Sequence, residues 1–132
     1  MNLIFFGPPG SGKGTYASRV AEKLGIQHVS TGQMFRNAMR DHAPLGKLIA
    51  SNMKKGILID DDITNSLVKD KLAKIKTGYI LDGYPRTVKQ GEFLEKIANI
   101  DIVVNFVLDE KIIIKLKKFY VKIYHESIFN FK

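Results

Sequence analysis

The sequence contains no cysteine, which excludes disulfide bonds and zinc sites built on cysteine. It also lacks a long apolar run near its start, where the stretch before Gly7 holds only four consecutive apolar residues. That length is too short for a signal-peptide core or a membrane span, so we expect a cytoplasmic protein without a membrane partner. The 132 residues, 45% hydrophobic and 26% charged, are typical of one globular domain at residues 1–132.

Positive charge is concentrated towards the C-terminal end of the chain. The formal net charge is +8, and residues 111–132 contribute six lysines and one acid to it. A basic segment is one indication of nucleic-acid binding. No recognition motif accompanies these lysines, so a solvated lysine-rich end is the better interpretation and a nucleic-acid partner is not expected.

Four short segments predict buried strands, because they are apolar, mostly rich in β-branched or aromatic residues, and bounded by Gly, Asp or Asn. They lie at Asn2–Phe6, Gln27–Ser30, residues 79–81 and Ile102–Val107. Helical patterns fill the intervals, at Lys13–Leu24 and at residues 33–40, 45–55, 61–74 and 87–98. This alternation predicts an α/β fold with a parallel sheet of about four strands and helices on both faces. Ligands of such sheets bind at the carboxyl ends of the strands.

The first predicted strand runs directly into a glycine-rich loop at residues 7–15, Gly-Pro-Pro-Gly-Ser-Gly-Lys-Gly-Thr, and a helix follows. Glycines let successive backbone N–H groups point at phosphate oxygens, and the helix N-terminus adds a favourable dipole. Lys13 supplies positive charge at the β- and γ-phosphates, and the Thr15 hydroxyl reaches a phosphate or a Mg²⁺ shell. The strand–loop–helix context therefore favours a phosphate-binding loop over a chance glycine-rich turn.

Two further segments, each of which follows a predicted strand, contain residues that could contact a ligand. Arg36 is either an exposed helix residue or a guanidinium that grips two phosphate oxygens. Asp82 is either a turn cap or part of a Mg²⁺ shell, and Arg86 is a second candidate phosphate clamp. Gln90 is either the capping-box partner of Thr87 or a ligand contact.

Together these segments resemble the adenylate kinases, a branch of the nucleoside monophosphate kinases. The loop form, with Gly14 between Lys13 and Thr15, is similar to that branch, as is Asp-Gly-Tyr-Pro-Arg at residues 82–86. The resemblance covers residues 1 to about 110 and implies a P-loop NTPase-type α/β fold. It further implies a monomer that transfers a phosphoryl group reversibly from ATP to AMP, giving two ADP.

The same resemblance implies the site residues. The ATP phosphates would be bound by Gly10, Ser11, Gly12, Lys13, Gly14 and Thr15. AMP would be bound by an inserted helical segment at residues 30–59 and by the turn after the third strand, through Thr31, Arg36, Ile57, Leu58, Ile59, Gly83, Tyr84, Pro85, Arg86 and Gln90. Lys13 and Arg86 would be catalytic, and Asp82 would hold Mg²⁺ through water; no zinc is expected. Gln33 stands where the family usually has Asp, which removes an acid near the phosphates.

No arginine follows Arg86. The resemblance weakens beyond residue 110, and residues 111–132 are similar to a degenerate start of the family's lid, with Lys115, Lys117 and Lys118 where the family has arginines. Lysine offers charge without a planar fork, so we expect a truncated or degenerate chain with little or no turnover. Three alternatives stay open: a catalytically inactive nucleotide-binding fragment, a UMP/CMP kinase and a basic nucleic-acid-binding module.

Overall fold

The structure is a computed structural model that describes residues 1–8, 10–41, 44–107 and 120–125, the last of these as backbone only. Its elements, in chain order, are β1 (Asn2–Phe6), α1 (Lys13–Leu24), β2 (Gln27–Ser30), α2 (Thr31–Arg40), α3 (Pro44–Lys54), α4 (Asp61–Ala73), β3 (Tyr79–Asp82), α5 (Val88–Ile97), β4 (Ile102–Val107) and β5 (Tyr120–His125). Each predicted strand and helix is present within two residues of its predicted bounds. Within these described ranges, no helix has the length and apolar character needed to cross a membrane.

The strands form one sheet in the order β2-β3-β1-β4-β5. The first four are mutually parallel where they pair, and β5 runs antiparallel to β4, with His125 opposite Ile102 and Tyr120 opposite Val107. The four parallel strands confirm the predicted α/β fold. The sequence did not predict β5, whose backbone covers the hydrogen-bonding edge that β4 would otherwise leave open.

Apolar side chains pack into one cluster on each face of the sheet. The cluster on the α1 face consists of Leu3, Phe5, Ala17, Ala21, Ile80, Val104 and Phe106. The cluster on the other face, which α4 and α5 cover, consists of Ile4, Val29, Val68, Tyr79, Leu81, Tyr84, Leu94 and Val103. Neighbouring residues of β1 therefore point to opposite faces, as the twofold repeat of a strand requires, and helices cover both faces as predicted.

Three helices begin with a side-chain cap, whereas α1 does not. The capping side chains of α2, α4 and α5 are Ser30, Asp60 and Thr87. At α1 the N-cap is Gly12, which has a left-handed conformation with φ of 80° and makes no side-chain cap. The first backbone N–H groups of α1 consequently lack a side-chain cap, which is the arrangement that an anion-binding helix N-terminus requires.

Candidate functional site

The candidate residues converge at the carboxyl ends of three neighbouring strands. The phosphate loop follows β1, Thr31 follows β2, and Asp82 is the last residue of β3. Lys13 Nζ donates a hydrogen bond to Asp82 Oδ1, and Thr31 Oγ1 donates to the Gly83 carbonyl at 3.0 Å. Three segments that lie far apart in the sequence thus meet at one edge of the sheet.

The phosphate loop is packed so closely that its first position requires glycine. A Cβ on Gly7 would lie 2.8 Å from Phe106 Cβ and 3.1 Å from Ser11 Oγ. Inside the loop, the Ser11 backbone N–H donates to the Pro8 carbonyl at 3.2 Å. Ser11 is fully buried, and its Oγ has no hydrogen-bond partner among the described residues. A buried hydroxyl in this position is a polar group that a bound phosphate would satisfy.

Asp82 is the centre of a chain of polar contacts behind the loop. Its Oδ1 accepts from Lys13, its Oδ2 lies 2.9 Å from His28 Nε2, and His28 Nδ1 lies 3.0 Å from Ser18 Oγ. Burial by itself would raise the pKa of Asp82. The hydrogen bonds and positive charges of His28 and Lys13 outweigh that effect, so the pKa of Asp82 lies below its ordinary value of 3.8. Asp82 is therefore a carboxylate throughout the neutral pH range.

The carboxylate of Asp82 suits a magnesium site that works through water. Each of its oxygens accepts one hydrogen bond here, from Lys13 or His28, and keeps a second lone pair that can accept from a metal-bound water. Mg²⁺ usually binds proteins through one or two carboxylates together with substrate phosphates and several waters. Asp82 therefore fits an ion that arrives with a nucleotide. Within the described ranges, no three His, Cys, Asp or Glu side chains cluster as a metal site of their own.

Replacing Asp82 by Asn is expected to lower the unfolding free energy by about 2 kcal/mol at pH 7, since charge-assisted hydrogen bonds to a part-buried carboxylate are lost. The folded-state pKa of Asp82 is lowered, so its stabilisation is present above pH 3.8 and is lost as the pH falls through the folded pKa. The difference from the parent chain should therefore shrink below pH 3.8. Urea denaturation at pH 7 and pH 3 measures both quantities. Asp70→Asn, at an exposed position of α4, is the control; equal midpoints for the two variants at pH 7 would contradict this role of Asp82.

A cavity of about 490 Å³ opens between α2, the segment joining α3 to α4, and the turn after β3. We call it the base cavity. Seven of the predicted monophosphate-binding residues line it: Thr31, Ile57, Leu58, Ile59, Gly83, Arg86 and Gln90. Apolar walls with a few polar groups at fixed positions are typical of small-molecule sites, and these dimensions match such sites.

Arg86 connects the base cavity to the phosphate loop. Its Nε donates to the Gly83 carbonyl at 2.8 Å, which fixes the guanidinium and leaves its terminal nitrogens for a ligand. A second cavity, of about 570 Å³, is lined by Gly7, Lys13, Gly83, Pro85 and Arg86. Gly83 and Arg86 therefore belong to both cavities, and the cations of Lys13 and Arg86 border the same space. We call this second space the transfer cavity.

Arg36 and Tyr84 lie apart from the other candidates. Arg36 lines a third cavity, of about 520 Å³, and its Nη2 donates to Gln33 Oε1 at 3.0 Å. Gln33 in turn donates to Asn37 Oδ1 at 2.8 Å. A neutral amide beside Arg36 leaves the guanidinium charge available to a phosphate, whereas the family's usual carboxylate would offset it. Tyr84 is fully buried and donates to Asn65 Oδ1 at 2.6 Å, so its side chain supports the turn and does not line the base cavity.

Two residues of the site, His28 and Asp61, were not predicted from the sequence. His28 forms a hydrogen bond with Asp82, 54 residues further along the chain. The only sequence feature that could have indicated this role was a polar ring within a short predicted strand. Asp61 Oδ1 accepts from Gln90 Nε2 at 2.7 Å, whereas the sequence indicated only that Asp61 begins a helical pattern at residues 61–74. The lysines predicted to replace family arginines, Lys115, Lys117 and Lys118, lie outside the described residues.

Sequence comparisons relate the chain to known proteins. The sequence model of the adenylate kinase family matches residues 5–118. The chain is 49% identical to an adenylate kinase of Thermosipho africanus over 87% of this chain and 57% of that protein. It is similar to adenylate kinases of Treponema denticola (46% identity, 87% of this chain, 56% of the relative) and Listeria monocytogenes (45%, 87%, 57%). The chain thus spans little more than half the length of these curated relatives.

Proposed function

Because the chain belongs to the adenylate kinase family, we propose that it binds ATP on the phosphate loop and AMP in the base cavity, for reversible transfer of a phosphoryl group. The products are two molecules of ADP. One observation carries the proposal: Gly83 and Arg86 line both the base cavity and the transfer cavity that Lys13 borders. An acceptor phosphate at Arg86 would therefore face a donor phosphate at Lys13, and holding the two reactants together is the main catalytic requirement of this reaction.

On the donor side, backbone N–H groups of residues 10–15 and the uncapped N-terminus of α1 would surround the ATP phosphates. Lys13 would exchange its bond to Asp82 for the β- and γ-phosphates. Ser11 Oγ, which lacks a partner in the described residues, would then gain one. Mg²⁺ bound with ATP neutralises charge that develops on the phosphates, and Asp82 would hold its waters.

On the acceptor side, the apolar residues Ile57, Leu58 and Ile59 would contact the base and sugar of AMP. Thr31 and Gln90 supply polar groups for the edge of the adenine, since both are largely buried and line the base cavity. Arg86 would bind the phosphate with its terminal nitrogens, and Arg36 would reach the same phosphate only after leaving Gln33. The two arginines therefore differ in position: Arg86 already lines the base cavity, whereas Arg36 would have to move to reach it.

That this chain shares the activity of its relatives is itself a proposal, since the chain spans 57% or less of their length. We propose impaired turnover for this chain, because no arginine follows Arg86 to stabilise the transferred phosphoryl group. An inactive nucleotide-binding chain is the second candidate and rests on the same observation. Mg²⁺ with ATP, a monomeric state and a cytoplasmic location belong to the same proposal.

Replacing Arg86 by Ala is expected to weaken AMP binding by about tenfold to 100-fold, the range for one or two charge-assisted hydrogen bonds. Adenosine, which has no phosphate, should bind the parent chain and the variant equally. Isothermal titration calorimetry with AMP and adenosine separates the two cases. Arg40→Ala, at an exposed position near the end of α2, is the matched control. Unchanged AMP affinity in the Arg86 variant, or an equal loss for adenosine, would refute the assigned role.

The choice of monophosphate tests the enzyme class. Thr31 favours AMP over a pyrimidine monophosphate, because UMP/CMP kinases tend to have a smaller residue at this position. Titration of the chain with AMP, CMP and UMP should therefore show the tightest binding for AMP. A preference for CMP or UMP would instead support the UMP/CMP kinase alternative.

A further inference from the structure

The side-chain amide of Gln90 is held by two partners at the wall of the base cavity. Its Oε1 accepts from the Arg86 backbone N–H at 2.7 Å, and its Nε2 donates to Asp61 Oδ1 at 2.7 Å. Gln90 is 5% exposed, so its amide has little freedom to reach other partners. Thr87 closes the network, since its Oγ1 donates to Asp61 Oδ2 at 3.0 Å and accepts from the Gln90 backbone N–H at 3.1 Å.

Both partners have a fixed hydrogen-bonding sense. A backbone N–H can only donate, and an ionised carboxylate can only accept. A half-turn of the Gln90 amide would set its NH₂ against the Arg86 N–H and its oxygen against the Asp61 carboxylate. Both bonds would be lost and two repulsive contacts would replace them. The amide is therefore locked in one orientation, and Asp61 is the charged hydrogen-bond acceptor that helps to fix it.

The locked amide retains hydrogen-bonding capacity for a ligand. A carboxamide oxygen has two lone pairs and its nitrogen two hydrogens. One of each is used within the described residues, so Oε1 can accept one further bond and Nε2 can donate one. The edge of a 6-aminopurine offers an acceptor at N1 and a donor at the 6-amino group. A 6-oxopurine offers the reverse, a donor at N1 and an acceptor at O6.

We propose that Asp61 is a positioning residue that makes the base cavity select 6-aminopurines over 6-oxopurines, by fixing the orientation of the Gln90 amide. An amide free to rotate would serve either edge, whereas a locked one serves one order of donor and acceptor. Such sites discriminate between bases because the wrong base leaves polar groups of the site without hydrogen-bond partners. The inference rests on the proposed function, since it requires the cavity to take the base of a nucleoside monophosphate.

The experiment compares AMP with inosine monophosphate, which differ only at this edge of the base. Calorimetric titration of the 132-residue chain should show AMP binding at least about tenfold tighter. In Asp61→Asn the charged acceptor becomes an amide that can either donate to Gln90 or accept from it. The Gln90 amide can then adopt both orientations, so the AMP-to-IMP affinity ratio should fall by about tenfold. Asp62→Asn removes the same charge from an exposed neighbour that pairs with Lys89, and should leave the ratio unchanged.

A second variant distinguishes positioning from a structural effect. Gln90→Met removes the amide, so adding Asp61→Asn to it should not change the ratio further. An unchanged AMP-to-IMP ratio in Asp61→Asn, whether or not both affinities fall, or a parent chain that binds AMP without preference, would each overturn the inference without rejecting the proposed function. A parent chain that binds neither nucleotide would reject the proposed function, and this inference with it.

Discussion

The 132-residue chain is expected to form ADP from ATP, AMP and Mg²⁺ at least about 1000-fold more slowly than the Thermosipho africanus adenylate kinase assayed beside it. The reason is charge at the transferred phosphoryl group. Among the described residues, the cations that line the transfer cavity are Lys13 and Arg86, and no arginine follows Arg86 in the sequence. An arginine that contacts the transition state contributes roughly 10³- to 10⁵-fold in rate, about 4–7 kcal/mol of barrier.

Chromatographic detection of ADP measures this difference. Lys13→Ala is the necessary control, because any ADP that it forms at the same rate comes from a contaminating kinase. Calorimetry with each nucleotide alone shows whether binding persists where turnover is lost. Binding without turnover is the expected pair of results, since the proposed binding residues are all present in this chain, whereas no arginine follows Arg86. Turnover within tenfold of the relative, abolished by Lys13→Ala, would contradict the prediction and require other groups to supply the missing charge.

The sequence predicted the elements of this fold well because most of its signals are local. Strand–loop–helix spacing placed the phosphate loop, and Gly25 ends α1 in the left-handed conformation with its N–H bonded to Ala21 and Glu22 carbonyls. The start of α2 was predicted less precisely: Ser30 caps this helix, which begins at Thr31, two residues before the predicted start. By contrast, β5 depends on pairing with β4 across distant positions, and no local pattern specifies that pairing.

The partners of the site residues were harder to predict than the residues themselves. Thr87 and Gln90 fit a capping box, and Thr87 does accept from the Gln90 backbone N–H. The reciprocal bond differs, since Gln90 Oε1 accepts from the Arg86 N–H and its amide nitrogen donates to Asp61, 29 residues away. A capping pattern specifies neighbours within one helical turn, whereas the packing of α5 against α4 decides which distant acid is within reach.

Replacing Lys13 by Ala is expected to weaken the binding of Mg²⁺–ATP by about 100-fold. Loss of a charge-assisted hydrogen bond to phosphate accounts for roughly 1.5–3 kcal/mol, or about tenfold to 150-fold. A second effect adds to it, because Asp82 then loses the lysine that accompanies it in this structure. The Asp82 carboxylate, 7% exposed, then keeps His28 as a partner but lacks the lysine charge, and it lies beside the loop proposed to receive the negatively charged phosphates.

The controls for Lys13→Ala use the same helix and the same chain. Lys23→Ala removes a lysine from the exposed last turn of α1, and Mg²⁺–ATP should bind that variant as it binds the parent. AMP should bind Lys13→Ala with nearly parent affinity, because Lys13 does not line the base cavity. Parallel loss of ATP and AMP binding would show that the substitution unfolds the chain. ATP affinity within threefold of the parent, with the fold intact by circular dichroism, would mean that residues 7–15 do not hold the nucleotide through Lys13.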